Sequence, residues 1–148
     1  MMQPFEDEIP TENELKKILD TLLPLRERKL RRLKRELCEH ESLLRSLQID
    51  LKKGEKRLVL FREQYQTAIN EFANHHTGVV LLHEKLHRTL EKEKVVRNRL
   101  LKQESDNHDL ITLIADQIIL VDNARESVTA CQREIEKLEI IIEEAQSS

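Results

Sequence analysis

One stretch of this chain matches a catalytic motif: His83-Glu84-Lys85-Leu86-His87 reads H-E-x-x-H. On a helix, histidines four residues apart share a face, where they could hold a zinc ion while Glu84 activates a water. His76 lies close enough in sequence to add a third imidazole. Zinc-dependent hydrolysis also needs a substrate strand and a cleft, and the sequence signals neither. The motif sits among many Glu, Lys and His residues, where a chance match is easy. There is no Gly-rich phosphate loop and no Ser/His/Asp or Cys/His arrangement in a plausible cleft. The reading from these residues is a chain with no catalytic site, no metal and no cofactor, and therefore not an enzyme.

Two other groups could do chemistry of a binding kind. Residues 26–35 read RERKLRRLKR, so that Arg26, Arg28, Lys29, Arg31, Arg32, Lys34 and Arg35 form a nearly unbroken cationic run. Such a run could contact phosphates, an acidic membrane surface or an acidic protein groove. It has no interleaved aromatics for base stacking and no adjoining DNA-binding motif, so a protein groove is preferred and no nucleic-acid partner is expected. The second group is Phe61, Tyr65 and Phe72. They read first as packing residues near a turn, and secondarily as anchors for a partner, since aromatics dominate interface hot spots.

The elements that carry these residues are helices. Only 3% of the chain is aromatic and 36% is charged, with two Gly and three Pro, which leaves little material for turns and strands. Leu, Glu, Lys, Arg and Gln, good helix formers, take their place. Stepping by seven from Leu23 gives Leu30, Leu37, Leu44, Leu51, Leu58, Tyr65 and Phe72, all apolar. Three residues after each come Arg26, Leu33, His40, Leu47, Gly54, Phe61, Ala68 and His75, completing the 3–4 alternation of a coiled coil. A second arm steps from Val79 through Leu86, Glu93, Leu100, Asn107, Ile114, Val121, Val128, Ile135 and Ile142. In its companion row Thr89, Gln103 and Gln117 read as breaks, and the seam is weakest near Glu93 and Asn107.

Thr11 followed three residues later by Glu14 fits a capping box at the start of the first arm. Pro24 should kink the helix or begin a new one. Gly54 is in phase with the seam and reads as a helix-interior glycine, whereas Asn74 and Gly78 mark a turn. The expected fold is all-α: a long antiparallel two-helix coiled-coil hairpin over 11–148, with arms at about 11–73 and 79–146 and a turn at about 74–78. Each arm would run roughly 95–100 Å at ~1.5 Å per residue. Folding near His76 sets the basic 26–35 run opposite about 117–126, where Asp116, Asp122 and Glu126 would neutralise it. Residues 1–10 read as a disordered acidic segment. A two-helix hairpin buries little core for its length, so stability alone should be marginal, with ends that order on binding.

MMQPFEDEIP lacks the basic and apolar regions of a secretory signal, and runs such as VVLL are too short to span a bilayer. Cys38 and Cys131 have no metal or disulfide spacing, which fits a reducing compartment. A cytoplasmic protein without membrane insertion is expected.

The Leu/Arg-rich opening LLPLRERKLRRLKREL (Leu22–Leu37), two heptad arms and a length near 150 residues resemble the YscO/HrpO proteins of bacterial type III secretion systems, which are similar to the flagellar export protein FliJ. The resemblance covers most of the chain; the acidic first ten residues and Pro24 depart from it. It implies a cytoplasmic stalk, similar in fold to the coiled coil of the rotary ATPase γ subunit. That stalk would link the hexameric secretion ATPase to the export gate and, in some members, bind secretion chaperones. A monomeric hairpin, expected because the heptad phase does not carry cleanly through 73–78, favours the stalk. The alternative is a generic structural or scaffold coiled coil, dimeric or hetero-oligomeric and unrelated to secretion.

Overall fold

The computed structural model describes residues 11–76 and 83–147, with side chains up to residue 73 in the first stretch. The acidic segment 1–10, and Thr77 and Gly78 of the expected turn, lie outside the described residues. The fold is an all-α helical hairpin of two helices, α1 (Glu12–His76) and α2 (His83–Ser147), each 65 residues long. Helix α1 runs on through His76, three residues past the expected end of the first arm, so Asn74 is helical. No helix of the described residues is long and apolar enough to cross a membrane. The chain divides into two compact units: unit 1 pairs Met1–Ser42 with Ile119–Ser148, and unit 2 is Leu43–Ile118.

Unit 1 begins with the expected capping box. Thr11 Oγ1 accepts from the Glu14 amide at 3.3 Å, and the Glu14 carboxylate accepts from the Thr11 amide at 3.3 Å. Two amide donors that a helix start leaves unpaired are thereby satisfied. Pro24 does not restart the helix, because it lies inside α1. Its ring nitrogen cannot donate to the Asp20 carbonyl, but both residues are exposed, so water can supply the missing donor. Leu19, Val121, Val128, Cys131 and Ile135 are buried along the seam. Each such side chain contributes on the order of 1.5–3 kcal/mol as an upper estimate. Arg26 takes a seam position, and its guanidinium reaches Glu134 at 2.5 Å. The Cys131 thiol points at the Arg26 carbonyl at 3.6 Å.

These contacts correct the expected register. Arg26 lies against Cys131 and Glu134, not against residue 126, and the antiparallel pairing carries Arg35 to about the level of Ala124. The displacement is close to one heptad. Sliding by seven returns every seam residue to a seam position, so the periodicity that identifies the hairpin cannot choose between the two pairings.

Unit 2 has the same antiparallel sense: as α1 advances from Gly54 to Phe61 to Tyr65, its partners on α2 recede from Asn107 to Arg99 to Glu93. Its buried side chains are Gln103, Asn107 and Gln117, all polar. Gln103 and Gln117 therefore do not break the second row, and Thr89 is half-buried beside them in sequence phase. The seam continues through these positions with amides in place of aliphatic groups. Gly54, the buried residue of α1 here, makes room for two of them. A Cβ at position 54 would collide with Asn107 Oδ1 and lie 3.1 Å from Gln103 Nε2.

Candidate functional site

The cationic run occupies α1 in unit 1. A helix that turns once every 3.6 residues places Arg28, Arg31, Arg32 and Arg35 on one face, at i, i+3, i+4 and i+7. All four are exposed, and Lys29 and Lys34 are exposed on the flanks. Arg26 is the member that turns inward, half-buried in the seam and held by Glu134. The run is thus one seam cation and a separate outward stripe.

The stripe has little local neutralisation. Arg32 meets Glu36 at 3.9 Å, with both side chains more than half exposed, a pair worth a few tenths of a kcal/mol, about 0.3–0.5. Arg28, Lys29, Arg31, Lys34 and Arg35 make no ion pair among the described residues. The register explains this. The facing stretch of α2, about 124–133, contains Arg125 and Arg133 against the single acid Glu126. Asp122, one of the acids expected to sit across from the run, turns instead to Arg125 on its own helix at 3.9 Å. The surface can therefore offer several guanidiniums at once. Guanidinium forks match carboxylates bidentately, hold their charge at every physiological pH and are weakly hydrated.

The three aromatics are brought to the seam of unit 2. Phe61 is half-buried, with the Arg99 guanidinium 5.8 Å from its ring centroid. Tyr65 donates its hydroxyl to Glu93 at 3.3 Å, and Arg97 reaches the same carboxylate at 3.8 Å. Glu93, an acid at a seam position, is accounted for by these two donors. Phe72 lines a groove of about 650 Å³ with Ala68, Thr89 and Val96. The placement suits packing within unit 2.

His83 and His87 are exposed in the first turns of α2, with Glu84 beside them. Among the described residues no group of three or more His, Cys, Asp or Glu is placed to hold a metal ion. Cys38 is exposed and Cys131 buried, both as free thiols.

The feature that sequence reasoning missed is the polar layer of Gly54, Gln103 and Asn107. Its signal was present, as a glycine and two amides at seam positions, but read separately on each arm they look like flaws. They become one feature only when the register sets them face to face.

Compared with protein-family models, with curated proteins and with solved structures, the chain finds no match in any of the three.

Proposed function

We propose that this chain is a stalk or adaptor of a bacterial type III secretion system, linking the secretion ATPase ring to the export gate and offering a surface to secretion chaperones. The observation that supports this reading is the outward stripe of Arg28, Arg31, Arg32 and Arg35, which faces a stretch of α2 holding one acid, Glu126, against two arginines in unit 1. Cations paired within the hairpin would have little left for a partner. Cations that are solvated and free can steer an acidic partner and release it quickly, as contact with a moving or exchanging ring requires. In this proposal the stripe and the nearby helix ends meet an acidic lining of the ring, while the region around Phe61–Val79 faces the gate.

The test is charge reversal. Arg31→Glu, Arg32→Glu and Arg35→Glu together should abolish capture of the hexameric ATPase from the source cell, with helical content by circular dichroism unchanged. Capture by the parent chain should also weaken as salt rises. Undiminished capture by the triple variant would remove the basis for placing this segment against the ring.

The scaffold reading draws on a different observation. In unit 2 α2 exposes Ile111, Leu113 and Ile118. Exposed aliphatic side chains on an already paired helix suit further helix association. Sedimentation equilibrium separates the two: a monomer supports the stalk, and a tight dimer supports the scaffold.

A further inference from the structure

We propose that Gly54, Gln103 and Asn107 form a register lock, selecting the observed pairing of α1 and α2 in unit 2 over pairings slipped by one heptad. The lock is needed because the rest of the seam is nearly indifferent to such a slip. Leu44, Leu51 and Leu58 recur every seven residues on α1, and Leu100 and Ile114 stand seven residues either side of Asn107 on α2. Moving one helix by a heptad, about 10 Å, would bury much the same apolar groups.

The polar layer does not repeat. Gln103 Nε2 donates to Asn107 Oδ1 at 2.8 Å, and both residues are buried. Asn107 Oδ1 fills the place that any side chain at position 54 would claim, and Asn107 Cγ lies 3.2 Å from that point. Among the described residues Gly54 is the one glycine of the α1 seam, so no other level accepts the amides as closely. A slip in one direction sets Asn107 against Leu47, and in the other against Phe61. Gly54 would then face Leu100 or Ile114 and leave a gap where its side chain is missing. Each slipped pairing therefore both crowds the amides and opens a void.

Asn107 Nδ2 is buried with no hydrogen-bond partner. A layer selected for stability alone would pair that donor or replace the amide with an aliphatic side chain. A layer that rejects alternatives needs only to be worse everywhere else, which is how a single buried asparagine fixes register in other coiled coils.

Cross-linking reads the register directly. Arg62 meets Glu104 only through two long side chains, 3.8 Å apart at their charged atoms. The pairings of Phe61 with Arg99 and of Tyr65 with Glu93 set the backbone of position 62 level with about residue 97. A slip by one heptad would bring position 62 level with about Leu90 or Glu104. In full-length protein carrying Cys38→Ser and Cys131→Ala, Arg62→Cys is combined in turn with Arg97→Cys, Leu90→Cys or Glu104→Cys and treated with a short thiol cross-linker. With the layer intact, the 62–97 pair should link in preference to the others. With Gly54→Leu, Gln103→Leu and Asn107→Ala added, the yield of the 62–90 or 62–104 link should rise at least about tenfold. Asn107→Leu alone, close in size and free of the amide, should raise it in the same direction and guards against a misfolded triple variant. An unchanged preference for 62–97 in both layer variants, or slipped links already dominant in the parent, would overturn the proposal.

Discussion

In unit 1 the seam positions of α2 hold Val121, Val128, Cys131 and Ile135, and all are buried. In unit 2 the buried positions of the same heptad rows are Gln103, Asn107 and Gln117, set between half-buried Leu100, Leu110 and Ile114. Both units are built from the same two α-helices, so the contrast is one of side-chain chemistry. Aliphatic seams gain stability from burial but do not distinguish one heptad level from the next. Amide seams gain little from burial, because each polar group must recover the hydrogen bonds it had in water, yet they tell levels apart. Unit 1 is accordingly the better source of stability and unit 2 the better source of pairing specificity. A charged intrusion in unit 1, Arg26 with Glu134, keeps its charges partly in water, with the side chains 37% and 46% exposed. It is therefore tolerated without the desolvation that a buried pair would suffer.

The largest effect should come from truncation in the apolar seam. Ile135→Ala in unit 1 is expected to cost about 2–4 kcal/mol in urea unfolding, and Asn107→Ala in unit 2 less, about 1 kcal/mol, since the lost acceptor of Gln103 Nε2 is partly offset by removal of the unpaired Nδ2. Equal costs would erase the distinction between the units.

A smaller effect probes the layer itself. Gly54→Ala should destabilise the parent, because the added Cβ meets Asn107 Oδ1. In an Asn107→Ala background the nearer obstacle is gone, and the Gln103 amide, 3.1 Å from the new Cβ, has lost its partner and can swing aside, so the same change should stabilise by up to about 1 kcal/mol through helix propensity. The double-mutant cycle measures this reversal of sign, and additive effects would show that the two residues do not touch.

The smallest change expected is at the exposed rim of unit 2. Arg62→Ala removes a 3.8 Å pair whose members are 60% and 43% exposed, and the melting temperature should hardly move, a change of about 0.5 kcal/mol or less. A larger loss would mean that rim charges, and not the amide layer, hold unit 2 together.

Much of this architecture was legible from residue order alone. Heptad rows through Leu23–Phe72 and Leu86–Ile142 identify two helices and which face each turns inward, since the side-chain period of a helix is a local property. The capping box at Thr11–Glu14 is equally local, four residues whose bonds close on themselves. Gly54 is legible as a helix-interior position because it keeps phase with its neighbours. The stripe of Arg28, Arg31, Arg32 and Arg35 also follows from spacing, as does its outward direction once the seam is known.

What only the tertiary structure decided is the level at which the arms meet. A seven-residue repeat is unchanged by a seven-residue shift, so charge was the remaining guide, and it pointed to Asp116, Asp122 and Glu126 as partners for the basic run. Surface ion pairs are worth too little to set a register against close packing. The level is set where shapes differ, at a glycine that fits two amides. That choice leaves the cationic stripe with a single acid, Glu126, across the seam, because complementarity between residues far apart in sequence exists only once the chain has folded back on itself.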